Sequence, residues 1–269
     1  YNAASYTLFG YILLGANAPV PEKALFPKAR GALKGWSSRF PQSSRTGADP
    51  LIWYLLAEEM FKTSMEASAA LLVQLDTYAR PSEIVKLRRA DVIRPVSKQC
   101  RFWGIIFGNS EFSEQTKVGL QDDTVLLDSF DRQFAATVLE LCYRSTSHPS
   151  DRLFPGLTLA SYERVMKDAT IEVGLGKFSF TPHGVRHTGP SIDFLQKART
   201  AEQIMARGRW TCLKSVQRYQ KPGRMLARMS KIPQHIWDRA KPSLDNVIKR
   251  RKKNYGGRAP GRQCGYGKI

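Results

Sequence analysis

The sequence predicts a mainly α-helical fold with a small antiparallel β-sheet (α+β). Three observations carry that expectation. Residues 51–64 (LIWYLLAEEMFKTS) and 65–79 (MEASAALLVQLDTYA) place apolar side chains at helical spacing. The same pattern returns at 131–145, 159–175 and 181–221. Between these blocks, FWGIIF (102–107) and TVLLD (124–128) are short β-like runs separated by the polar turn SEQTKVG (113–119).

In chain order, SYTLFGYILLG (5–15) reads as a helix, and Pro19, Pro21 and Pro27 break the pattern before a second short helix over 28–36. RFPQSSRTGADP (39–50) reads as a linker, so the chain is expected to divide near residue 45. The piece 1–45 is too small to bury a core alone. It is expected to be the end of a helical domain whose natural start lies upstream of Tyr1. RPSEIVKLRRADV (80–92) reads as a short helix with Pro81 in its first turn and with Ile84, Val85 and Leu87 facing inward. Thr200 and Gln203 form a capping-box pattern, and Gly208 ends that helix, throwing Arg209 and Trp210 into a turn before a helix over about 212–220. A last helix over about 234–249 leads into a Gly-rich, purely basic tail, 249–269, expected to be disordered unless it meets an anion.

The 269 residues carry a formal charge of +19, with 42% hydrophobic and 10% aromatic side chains. The apolar share suits a folded domain, and the charge suits a polyanionic partner, nucleic acid ahead of anionic membrane. Residues 249–269 hold eight of those charges and no acid, which leaves +11 on the first 248. The basic character is therefore not confined to the tail. Cys100, Cys142, Cys212 and Cys264 form no CxxC pair, and the four histidines do not cluster with them. Neither a zinc site nor a disulfide scaffold is expected, and no cofactor. LFGYILLGA is too short to span a membrane and lacks a basic leader, so the expectation is an intracellular protein without a signal peptide.

Polar chemistry at fixed spacing gathers in 181–221. His183 and Arg186 are three apart, Trp210 follows 24 residues after Arg186, and Tyr219 lies nine beyond Trp210. Upstream, TYARPSEIVKLRRADV resembles the first-arginine box of the tyrosine recombinases (phage integrases), usually close to TGLRxSELxxLxxxDv, and supplies Arg80, Glu83, Leu87 and Asp91 at matching places. TPHGVRHT resembles that family's HxLRHT box, and GRW with Tyr219 resembles its final box, Trp standing where His is commoner. The resemblance covers roughly residues 50–232. It makes 46–248 the catalytic domain and 1–45 the end of the core-binding domain. The GRW box and basic tail look most like the recombinases of eukaryotic mobile elements of Crypton or DIRS-like type, which would place the protein in the nucleus. Two departures stand out. Gly189-Pro190-Ser191 follows RHT in place of a small apolar run such as FAT, and the hairpin offers Lys117 alone as its lysine.

The resemblance implies site-specific DNA recombination without metal or ATP. Tyr219 would be the nucleophile, forming a 3′-phosphotyrosyl link. Arg80 and Arg186 would clamp the phosphate, planar guanidinium groups being suited to paired bonds with its oxygens. Lys117 would protonate the leaving 5′-oxygen, His183 would bond a phosphate oxygen or take the tyrosine proton, and Trp210 would donate its indole N–H. Glu83 and His187 would support this set, and Lys249, Arg250, Arg251, Lys252 and Lys253 would touch DNA phosphates. Double-stranded DNA is the expected partner, bound by a homo-oligomer (tetramer) that exchanges the helix over 234–249 between neighbours. Two other readings compete: a type IB topoisomerase, which generally has Lys where this chain has His183, and a recombinase-derived DNA-binding protein that no longer cuts.

Overall fold

The computed structural model describes residues 27–39, 47–97, 99, 101–112, 122–217, 219 and 222–256. The chain divides into two compact units, Tyr1–Ser44 and Arg45–Ile269. In the first, helix α1 (Pro27–Arg39) begins at the last of the three prolines. The helix expected over 5–15 lies outside the described residues, as do residues 40–46 of the expected linker.

The second unit is built on a helical hairpin. α2 (Pro50–Thr63) opens on Asp49, whose carboxylate accepts the Leu51 N–H at 2.9 Å, with Pro50 in the first turn where its missing donor is not needed. Ser64 ends α2 through its own N–H and starts α3 (Met65–Thr77) by accepting the Ala67 N–H at 3.1 Å. One residue thus caps both helices and turns the chain. α3 is buried at every position from Ala67 to Thr77, so its polar side chains need partners inside. Gln74 donates to the carbonyls of Ala79 at 2.9 Å and Pro182 at 3.0 Å, and accepts the Tyr162 hydroxyl at 2.8 Å. It fastens to the central helix the two segments that carry Arg80 and Arg186.

Helix α4 (Pro81–Ile84) is a single turn, followed by a 3-10 turn at Arg89–Asp91 and strand β1 (Val92–Ile93). β2 (Gly104–Phe107) and β3 (Asp123–Leu126) complete the expected sheet, antiparallel in the order β1-β2-β3, with Val92 opposite Ile105 and Phe107 opposite Asp123. Ile105, Phe107 and Val125 turn into the core. α5 (Phe134–Arg144), α6 (Leu159–Glu172) and α7 (Pro182–Leu195) pack around the hairpin. Each fully buried large side chain there contributes about 1.5–3 kcal/mol of transfer free energy.

α8 (Ala201–Arg207) starts at the Thr200–Gln203 capping box and ends at Gly208, as the sequence predicts. α9 (Leu213–Val216) is shorter than expected, leaving Tyr219 beyond its end. After α10 (Pro222–Met229), the single helix expected over 234–249 is two, α11 (Gln234–Ala240) and α12 (Ser243–Gly256). Pro242 has no N–H for the Asp238 carbonyl, so the first helix stops before it. The disorder expected from residue 249 does not begin there, because α12 carries residues 249–253 on to Gly256. Arg251 explains the continuation. It is fully buried, donates to the Met65 carbonyl and lies 5.6 Å from the Phe61 ring centre, which holds α12 against the α2–α3 turn. Among the described residues no helix is long and apolar enough to cross a membrane.

Candidate active site

The site forms where α4, the first half of α7 and the turn after α8 meet. Arg80 is the residue before α4, and Glu83 folds back on it. One Glu83 oxygen accepts the Arg80 backbone N–H at 2.7 Å, and the other accepts its guanidinium at 2.5 Å. Glu83 therefore closes the capping box of its own helix and holds the arginine with one carboxylate.

Arg186 lies one turn into α7 and is only 1% exposed. Its guanidinium donates to the carbonyl of Tyr78 and, at 2.7 Å, to that of Gly208, and it lies 4.8 Å from the centre of the Trp210 ring. Burial pushes its pKa down to about 10; Arg209 and Arg80 add to the effect, and Tyr219 and Glu83 oppose it. It stays protonated at neutral pH. An anion in place of bulk water would favour the charged form.

Tyr219 stands between two rings. His187 lies 4.5 Å from it and Trp210 4.4 Å, centre to centre. His183 lies beyond His187, ring centres 5.5 Å apart and planes tilted by 56°. His187, expected only as support, is thus the histidine packed on the tyrosine. The Tyr219 backbone is fixed by Ser191, whose hydroxyl lies 2.5 Å from the Tyr219 carbonyl and 2.7 Å from that of His187. Trp210 folds back over Gly208, where a Cβ would sit 2.0 Å from the indole; any side chain at 208 would displace it.

The Gly189-Pro190 departure has a structural account. α7 runs through Pro190 to Leu195, and a Cβ on Gly189 would lie 2.2 Å from the Tyr78 ring. Tyr78 itself adopts a left-handed backbone (φ 54°) at the end of α3, is fully buried, and donates its hydroxyl to Asp193. Asp193 belongs to a buried ionic cluster, with Arg132 at 2.6 Å and Arg199 at 3.3 Å, and Arg132 reaches Asp76 at 3.1 Å. Thr188 of the RHT box is structural, accepting the Trp53 indole N–H at 2.6 Å and the Ala48 N–H at 3.1 Å.

Sequence reasoning missed three contributors: Ser191, Thr188 and Arg209. Arg209, 3% exposed, donates to Glu83 at 2.6 Å. Lys117 lies outside the described residues. Lys249, Arg250, Lys252 and Lys253 point outward on α12, whereas Arg251 is turned into the core and so is removed from the set of expected phosphate contacts. Among the described residues no three His, Cys, Asp or Glu side chains gather as a metal site requires.

No family model matches the chain, and no curated protein matches it. Among solved structures it is similar to the crystal structure of XerA recombinase, at 17% identity over 84% of this chain and 82% of that one, with a TM-score of 0.48.

Proposed function

We propose that this chain is a DNA recombinase that cuts and rejoins strands through a phosphotyrosyl link on Tyr219. The observation that carries the reading is the meeting, around one buried guanidinium, of groups from distant parts of the chain. Arg80 and Arg209 meet on Glu83 at 2.5 and 2.6 Å, Arg186 lies 4.8 Å from the Trp210 ring centre, and His187 and Trp210 pack on the tyrosine ring. A cluster of cations beside a phenol has little stabilising purpose of its own, because like charges in a buried space repel.

In the proposed step the Tyr219 hydroxyl attacks a backbone phosphorus, a P–O bond to tyrosine forms, and the P–O bond to the 5′-oxygen breaks. The phenolic proton passes to a histidine, and the 5′-oxygen takes a proton from Lys117. Arg80 and Arg186 neutralise the non-bridging oxygens; losing either donor is expected to cost on the order of 10² to 10³ in rate. The phosphotyrosyl bond keeps the energy of the phosphodiester, so the 5′-hydroxyl of another strand reverses the step. In this reading the chain acts as a homo-oligomer on DNA, and the GRW box and basic run support a nuclear role for a Crypton- or DIRS-like element.

The test is a duplex from the sequence flanking the gene, nicked beside the cleavage position so that the cut fragment diffuses away. The wild-type protein should accumulate a covalent adduct and Tyr219→Phe should not. Equal adduct in both removes Tyr219 from its role, and DNA binding without adduct in the wild type favours the non-cutting alternative.

A further inference from the structure

Arg209 is unusual on three counts. It adopts φ 54°, a backbone region that costs an L-residue strain and that glycine enters freely. Its side chain is fully buried although it carries a charge, and burial lowers its pKa, only partly offset by Glu83. It also adds repulsion to Arg186 and Arg80. A residue chosen for stability alone would be none of these.

Its contacts suggest why it is tolerated. The guanidinium lies 3.9 Å from the centre of the Phe107 ring on β2, donates to Glu83 at 2.6 Å, and has its Nε 3.9 Å from the Asp123 carboxylate at the start of β3. The Glu83 oxygen it occupies is the one that also accepts the Arg80 backbone N–H. Glu83 is left with its other oxygen for the Arg80 guanidinium, a single 2.5 Å contact. Without Arg209 the carboxylate would be free to grip the planar fork with both oxygens, the stronger arrangement, and hold it away from phosphate. The neighbours of Arg209 do parallel work. The Gly208 carbonyl holds Arg186 at 2.7 Å, and the Trp210 ring packs on Tyr219 at 4.4 Å.

Resting on the phosphotyrosyl reading above, we propose that Arg209 is a positioning residue. It occupies Glu83 so that Arg80 is held by one nitrogen and presents the rest of its fork to the scissile phosphate. The turn 208–210 then sets both arginines and the nucleophile from three consecutive residues.

The test is single-turnover adduct formation on the nicked duplex by Arg209→Gly, a change the left-handed backbone accepts without strain. The rate should fall on the order of 10²-fold, as for other small misplacements of reacting groups, while the Kd for the same duplex stays within about twofold. Arg209→Lys should recover part of the rate, and millimolar guanidinium ion should restore part of it in Arg209→Gly. Glu83→Ala should lose rate by itself, and adding Arg209→Gly should cost nothing further, since a residue that acts only through Glu83 has no effect once Glu83 is gone. Losses that multiply, or an unchanged rate in Arg209→Gly, would overturn the proposal. Should the wild type form no adduct, the phosphotyrosyl reading fails and the tie is read separately by carboxyl-carbon NMR. A rise in the Glu83 titration midpoint in Arg209→Gly upholds the Arg209–Glu83 tie, and an unmoved midpoint refutes it.

Discussion

Gly189→Ala is expected to destabilise the protein, although a glycine in the interior of a helix is ordinarily improved by alanine by about 0.8–1 kcal/mol. The clash decides the sign. An alanine Cβ at 189 would lie 2.2 and 2.4 Å from two carbons of the Tyr78 ring and 2.9 Å from the Leu75 carbonyl oxygen. Neither neighbour can give way cheaply. The oxygen is main chain of a buried helix, and the ring is fully enclosed with its hydroxyl tied to Asp193, itself paired with Arg132 at 2.6 Å. Overpacking a tight site costs about 1–3 kcal/mol, and contacts this short belong at or above the top of that range. Set against the helix gain, the net loss is about 2 kcal/mol, which in a domain of this size lowers Tm by roughly 4–8 °C. Thermal melts followed by circular dichroism, with guanidinium chloride midpoints alongside, measure it. In a Tyr78→Gly background most of the clash is gone, so the same Gly189→Ala change should cost at least about 1 kcal/mol less there. A Gly189→Ala protein as stable as the wild type, or equal costs in the two backgrounds, would refute the reasoning.

Three further outcomes follow from the same structure. Asp193→Asn leaves Arg132, 2% exposed, with a weakened set of partners and should cost about 3–5 kcal/mol in urea unfolding; a loss under about 1 kcal/mol would show the cluster to be redundant. Burial alone would raise the Glu83 carboxyl, but Arg209, the Arg80 amide and Arg186 outweigh it and its pKa is lowered. Its stabilisation is therefore complete above the ordinary carboxylate range and fades as pH falls through the lowered value. The stability gap between wild type and Glu83→Gln should close on acidification, and a gap constant from pH 7 to pH 3 would count against the pairing. On α12, Lys252→Ala should reduce the salt slope of DNA binding by about 1 and leave Tm alone, whereas Arg251→Ala should lower Tm and leave the slope. The opposite assignment would mean that the two side chains have been given each other's roles.

Much of the frame was legible because α2, α3, α5, α6 and α7 bury one or more faces over three or four turns, and such periodicity survives in the sequence. The Thr200 cap was readable for a simpler reason, since both partners lie within four residues. What was lost is what depends on contacts across the fold. Arg209 is one of 42 basic residues, and nothing local marks it as the one that meets Glu83 from 126 positions away. Arg251 was hidden by the opposite error. In KRRKK it reads as solvated charge, yet it lies four residues after the buried Val247 and so continues the inward face of α12. The break before Ser243 carried its own signal in Pro242, which a continuous helical reading overrode.

The Gly189 departure pairs with Tyr78 across the contact between α3 and α7. Where the first-arginine box usually has glycine, this chain has Tyr78, and the backbone there is left-handed, the conformation that glycine serves best. Where a small apolar residue usually follows RHT, it has Gly189, and the Tyr78 ring fills the space a side chain there would take. The added ring does more than occupy volume. It lies 6.5 Å from Trp210 in a stacked arrangement and its hydroxyl reaches Asp193, while the main-chain carbonyl of the same residue accepts from Arg186. The bare Gly189 on α7 thus leaves room for the Tyr78 ring, and the end of α3 packs beside both Arg186 and Trp210. The Tyr78→Gly and Gly189→Ala cycle measures that pairing directly.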